Sequence, residues 1–229
     1  MKAHLAHVLE TIHGQSRSRQ VELHVRTLQS ENLQLQRTLQ TKENEISELR
    51  CKIDNLEAQL QEMTGIDNLT GLPNRQAFKQ HLSRAVKRAL RLGYSLSLLV
   101  LAVDRLQDIN ELYGTETGNL ILAKVAQILR SSVREVDMAA RWDGAELIAV
   151  LHETDAEGAA MVAERIRRKA CSLDIVDPKS GQSVEVNVFL AVAGYLPHSG
   201  EANDLLENVC QTLIAAKTNG CNRVVIAKS

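Results

Sequence analysis

From residue 15 to residue 64 the chain contains neither proline nor glycine, and within that stretch apolar residues recur at alternating steps of four and three. Starting at Val21, the steps fall on Val25, Leu28, Asn32, Leu35, Leu39, Lys42, Ile46, Leu49, Ile53, Leu56, Leu60 and Met63. Eleven of these thirteen positions are apolar, which predicts a heptad seam rather than the broader face of a globular helix. At about 1.5 Å per residue the seam spans roughly 64 Å. Val25, Asn32, Leu39, Ile46, Ile53 and Leu60 fall at a, and the others at d. β-Branched residues at a with Leu at d favour two parallel strands, and a lone Asn at a fixes their register. In that register Glu45 faces the partner's Arg50, and Lys52 the partner's Glu57, opposite charges in both cases. Residues 21–64 are therefore expected to form a parallel homodimeric coiled coil, preceded by a helical or flexible segment over 1–20. Lys42 at d is expected to snorkel.

A formal net charge of −1 gives no bulk pull toward nucleic acid, and no nucleic-acid partner is expected. The longest strongly apolar run, Leu98 to Val103, falls far short of a membrane span, and the first 20 residues lack the apolar core of a secretory leader. A cytoplasmic location without membrane contact is the expectation. Cys51, Cys171, Cys210 and Cys221 show no paired spacing, so reduced thiols are expected. His4, His7 and His13 lack a completing Cys or carboxylate and read as a solvated helix start, so no metal is expected there.

After Gly65 helical and strand-like segments alternate, punctuated by glycine. The pattern predicts helices over 74–92, 117–133, 154–172 and 204–218. It predicts strands over 96–103, 137–142, 146–152, 184–195 and 223–227, the second and third joined across Asp143-Gly144 as a hairpin. An α+β domain with helices packed around one mostly antiparallel sheet follows for residues 65–229.

Six ordered motifs carry a resemblance. They are Asp67-Asn68-Leu69-Thr70-Gly71-Leu72-Pro73-Asn74-Arg75; Asp104 followed by Ile109-Asn110, Tyr113-Gly114 and Gly118-Asn119; Arg134-x-x-Asp137; Arg141-Trp142-Asp143-Gly144-Ala145-Glu146-Leu147; Ala216-Lys217; and Gly220-x-Asn222-Arg223. In this order and spacing residues 67–227 resemble the GGDEF domain of the diguanylate cyclases. The resemblance implies a ferredoxin-like sheet of the polymerase-palm type, commonly behind a coiled-coil stalk.

It also implies a chemistry, in which two domains each hold one GTP and each 3′-hydroxyl attacks the other's α-phosphate. Such phosphoryl transfer rests on positioning and charge neutralisation, with divalent ions on hard oxygen ligands. The two carboxylate positions the family uses for those ions are Ala102 and Ala145 here, so no catalytic residue is assigned and no cofactor is expected. The family's phosphate-meeting Lys is Gln107, and a late Arg is Cys221. The guanine-reading Asp is Asn119, whose amide offers one acceptor oxygen where a carboxylate offers two. The first signature Gly is Asp143, which brings negative charge to where phosphates would lie. Asn110, Glu146, Lys217, Gly114, Gly118 and Gly144 match, and Asn110, Asn119 and Lys217 are kept as residual nucleotide-binding residues. Each lost charged contact to a transferring phosphate is worth on the order of 2–4 kcal/mol, so several lost together remove many decades of rate.

The family's product-inhibition site is an R-x-x-D placed six residues before the signature, and Arg134 and Asp137 occupy that register, with Arg165 near a further basic contact. Arg forks onto a guanine edge or a phosphate while a carboxylate accepts the guanine N–H groups. The leading expectation is a catalytically inactive, dimeric cyclic di-GMP receptor with a protein partner of unknown identity. Two alternatives stay open. One is an active cyclase using Mg²⁺ on displaced ligands such as Asp104 or Asp143, and the other is an adaptor that binds no nucleotide.

Overall fold

The computed structural model describes residues 31–53, 56, 64–195, 202–218 and 222–227. The segment 1–20, the seam positions Val21, Val25, Leu28, Leu60 and Met63, and Cys221 lie outside the described residues. Two units part between Gln59 and Leu60.

In the first unit, residues 31–53 form one helix, α1. Its seam residues Leu35, Leu39, Ile46, Leu49 and Ile53 are between 50% and 64% exposed, so the chain itself does not cover them. Lys42 reaches Glu45 on its own helix at 2.6 Å, an exposed pair of small energetic weight.

The second unit runs α2 (Arg75–Leu92), β1 (Leu96–Val103), α3 (Leu106–Tyr113), α4 (Thr115–Ser132), β2 (Met138–Asp143), β3 (Glu146–His152), α5 (Ala156–Cys171), β4 (Ile175–Val176), β5 (Ser183–Val184), β6 (Val188–Tyr195), α6 (Ala202–Thr218) and β7 (Val224–Ile226). Five strands form a mixed sheet in the order β2-β3-β1-β6-β7. Every neighbouring pair is antiparallel except β6 and β7. All of β1 is buried because both of its faces are covered. Leu98, Val100 and Ala102 join a core beneath α2 and α6 with Phe78, Leu82 and Val209. Leu99, Leu101 and Val103 join the opposite core with Ile121, Leu129 and Ile166 from α4 and α5. The period-two alternation of a strand thus divides one apolar run between two layers of helix.

The motif over 67–75 is a fold clamp. Asp67 Oδ1 accepts from the Thr70 backbone N–H and hydroxyl, Gly71 takes φ +66°, and Arg141 binds Asp67 Oδ2 at 2.9 Å. Asn74 then caps α2 by accepting from Ala77 N, and Gly93 ends it in a left-handed conformation.

Several sequence expectations are corrected. α3 was not anticipated: it is eight residues long and follows Arg105, a left-handed N-cap residue that makes no side-chain capping bond. The strand expected over 184–195 is two elements, β5 and β6, and β6 lacks alternation because both of its faces are buried. Asp143 ends β2, so the hairpin turn falls on Gly144 and Ala145. The β4–β5 hairpin was also missed. Asp177 anchors it, accepting from Thr117 Oγ1 at 2.6 Å and from Ser180 N and Oγ at 2.7 and 2.6 Å. Those hydrogen bonds, Ser180 first and Thr117 next, hold the Asp177 carboxyl at about 2. Among the described residues no helix is long and apolar enough to cross a membrane.

Candidate functional site

Ala102 and Ala145 meet at the junction of β1 and β3. Ala102 is the register partner of Glu146, and the Val103 N–H donates to the Ala145 carbonyl at 3.3 Å. Ala102 is 1% exposed. At both positions where the resemblance implies a carboxylate the side chain is a methyl group, and neither offers an oxygen to Mg²⁺. Among the described residues no three His, Cys, Asp or Glu side chains converge on a metal-sized space. The side chains present at this junction do not fit a divalent ion.

The neighbouring charges are satisfied within the chain. Lys217, from the end of α6, binds Glu146 Oε1 at 2.7 Å, so the retained cation and the retained signature acid neutralise each other. Asp143 stands 3.9 Å from Arg75, both exposed, and the Arg75 guanidinium lies 4.5 Å over the Trp142 ring. Gln107 spends its amide on Glu111 of α3. Burial, with Glu146 adding to it, pushes the Cys210 thiol up, away from nucleophilic use.

Asn110 and Gly118 are placed against each other. A methyl group on Gly118 would lie 1.9 Å from Asn110 Oδ1, so the glycine makes the space that the amide fills. That Oδ1 is buried without a hydrogen-bond partner, an unmet acceptor of the kind a ligand N–H satisfies. Asn119, the next residue of α4, is exposed.

Arg134 and Asp137 form a tight turn between α4 and β2. Asp137 N donates to the Arg134 carbonyl at 3.1 Å, and Arg134 N donates to Asp137 Oδ2 at 2.9 Å. Asp137 Oδ1 accepts from the backbone N–H of His152 at 2.9 Å. Both carboxylate oxygens thus hold main chain, a use that sequence spacing does not reveal. Arg165 reaches back from α5 to the Ser132 carbonyl at 2.5 Å, at the C-terminal end of α4, where a cation is favourable. A cleft of about 400 Å³ brings Arg134, Asp137 and Arg165 together with Lys169. A second, of about 410 Å³, adjoins the same turn and adds Arg130. Lys169 and Arg130 were missed by sequence reading. Lys169 sits one helical turn from Arg165 on α5, so helical periodicity was the available signal there.

His152 also meets His81 of α2, with the Nε2 atoms 3.3 Å apart. Burial, with His152 and Arg84 adding to it, lowers the pKa of His81. Burial lowers that of His152 against the opposing pull of Asp137.

The family model for "Diguanylate cyclase, GGDEF domain" matches residues 64–223. Diguanylate cyclase A of Treponema denticola is 33% identical over 176 residues, covering 75% of this chain and 47% of that protein. The chain spans about half or less of the length of such curated relatives. The GGDEF domain of DgcB from Caulobacter crescentus, solved in complex with c-di-GMP, superposes with a TM-score of 0.69 at 28% identity, covering 72% of this chain and 96% of that one. The coiled coil and GGDEF domain of DgcB, also with c-di-GMP, gives a TM-score of 0.69 at 26% identity over 81% of this chain and 98% of that one.

Proposed function

Because this chain belongs to the diguanylate cyclase GGDEF-domain family, we propose that it is a catalytically silent member acting in the cytoplasm as a dimeric cyclic di-GMP receptor. The observation that carries this reading is alanine at both 102 and 145, near a Lys217 already bound by Glu146, while cations gather around Arg134 and Asp137. The first arrangement has nothing to hold the metal and phosphates of a cyclising GTP. The second suits a ligand with two guanines and two phosphates, since Arg134, Arg165 and Lys169 supply charge and donors in one cleft. The seam of α1 supports a homodimer. Burying one of its exposed Leu or Ile side chains contributes about 1.5–3 kcal/mol, and each chain presents several.

One observation favours the adaptor reading instead. Asp137 has a full structural role without any ligand, clamping Arg134 N and His152 N.

Calorimetric titration of the full-length chain with cyclic di-GMP separates the two. The receptor reading expects micromolar or tighter binding, weakened roughly tenfold to a hundredfold by Arg134→Ala through loss of about 1–3 kcal/mol. Arg134→Ala is the clean variant, because removing the Asp137 carboxylate also frees two backbone donors. No heat up to about 100 µM ligand supports the adaptor. Formation of cyclic di-GMP from GTP with Mg²⁺ or Mn²⁺, abolished by Asp104→Asn, overturns catalytic silence. A full-length chain that sediments as a monomer at micromolar concentration overturns the dimer.

A further inference from the structure

We propose that the groove between α2 and α6 receives an acidic amphipathic helix of another protein. α2 carries Arg75, Lys79, Arg84, Lys87, Arg88 and Arg91 and no Asp or Glu, in a chain whose formal net charge is −1. All six cations are exposed. Among the described residues, Arg75 alone of them has an ion pair, the 3.9 Å contact to Asp143. Arg75/Lys79, Arg84/Arg88 and Lys87/Arg91 each stand four residues apart, a spacing at which like charges destabilise a helix. Apart from Arg75 and Lys79 lying over the Trp142 ring, the fold makes little use of this arrangement, since α2 is anchored by the opposite face through Phe78, Leu82, Val86 and Ala89. An uncompensated run of one sign therefore calls for an anionic partner outside the domain.

The groove defines what kind. It measures about 380 Å³ and is lined by Leu82, Val86 and Leu90 of α2, by Leu206 of α6, and by Lys79 and Lys87. Among the described residues no carboxylate lines it. Lys79 and Lys87 are two helical turns apart, about 12 Å along α2, a separation matched by acidic residues two turns apart on a docked helix. Apolar side chains at i, i+3 or i+4 and i+7 of that helix would enter the aliphatic floor while its Asp or Glu residues pair with the lysines. The recessed floor is the wrong shape for a bilayer, which takes protruding apolar side chains. It also lacks an exposed aromatic platform for bases, because Tyr195 is buried. Residues 1–30 of this chain carry more Lys and Arg than Asp and Glu, so they do not complement the groove.

The test uses the full-length chain and a labelled 18-residue peptide with Leu at i, i+4 and i+7 along one face and Glu on its flanks. Fluorescence anisotropy is expected to report micromolar binding, lost at least tenfold with Lys79→Glu/Lys87→Glu. That double variant should bind instead a peptide with Lys in place of every Glu. A peptide with Ser in place of Leu should bind neither chain, and cyclic di-GMP titration of the double variant should match the unaltered protein. No binding at 200 µM peptide (about −5 kcal/mol), or equal binding of the Ser-substituted peptide, overturns the proposal. So does tighter binding to duplex DNA or to vesicles rich in phosphatidylserine. Loss of dimer in the double variant assigns the groove to this chain's own acidic heptad helix and overturns it as well.

Discussion

Replacing Gly118 with alanine sets two energies of known sign against each other. Gly118 lies in the first turns of α4, where alanine is preferred over glycine by about 0.5–1 kcal/mol. Against this, the added methyl would sit 1.9 Å from Asn110 Oδ1, 2.9 Å from its Cγ and 3.3 Å from Leu106 Cδ1. The first two distances require the amide to leave its place, and overpacking of this kind costs about 1–3 kcal/mol. Gly118→Ala is therefore expected to destabilise the domain by about 1–2 kcal/mol. Asn110→Ala removes both the obstruction and a buried acceptor that has no partner, so in that background the same Gly118→Ala change should stabilise by up to about 1 kcal/mol. The sign reversal is a coupling of about 2 kcal/mol between two touching residues. Urea unfolding followed by Trp142 fluorescence measures it. Trp142 is the only tryptophan in the chain and lies in β2, so the signal reports on the sheet and not on α1. A stabilising effect of Gly118→Ala in both backgrounds would refute the assignment of the glycine to Asn110.

Three further outcomes are expected. Ala102→Asp places a lone carboxylate in a core position and should cost about 2–4 kcal/mol; with Ala145→Asp added, millimolar Mg²⁺ should raise the thermal midpoint of the double variant and leave the unaltered protein unmoved. Arg141→Lys loses a bond to Asp67, whose side chain is 7% exposed, and the Nε and Nη2 bonds to the Gly144 carbonyl; a loss of about 2–3 kcal/mol in urea is expected, and under 0.5 would contradict the clamp. Asp177, held at about 2, lies below its unfolded value of about 3.9, so it contributes stability above pH ~4 that disappears as pH falls toward 2. The deficit of Asp177→Asn in thermal melts should accordingly be constant from pH 7 to about 5 and shrink below pH ~4, and a deficit that grows with acid would reverse the sign.

The elements legible in the sequence were those whose apolar pattern persists. β1 falls on the residues expected, Leu96–Val103, because an unbroken Leu/Val run bounded by turn residues has few other uses in a domain of this size. α2 and α5 start within two residues of the expected positions, and in the structure Asn74 and Asp155 are their side-chain caps. α3 had no such punctuation, and the β4–β5 hairpin has strands of two residues that carry no period. The site was legible as positions and illegible as bonds. The family resemblance located Arg134, Asp137, Ala102 and Ala145. It was silent on Lys217 reaching Glu146 and on His152 N reaching Asp137, because those pairs are made by the sheet and not by proximity along the chain.

The sheet closes late. β6 sits between β1 and β7, with Leu96 paired to Tyr195 and Leu190, Ala191 and Val192 paired to Val224, Val225 and Ile226. During synthesis β2, β3 and β1 can assemble from neighbouring segments, while the far side of β6 waits for three residues near the end of the domain. Until they dock, an apolar strand offers an open ladder of N–H and C=O groups, which is a template for another chain. A protease cut or a premature stop ahead of residue 224 would therefore yield an aggregating domain rather than a shorter working one. The three residues of β7 act as the stopper that keeps the finished sheet from growing.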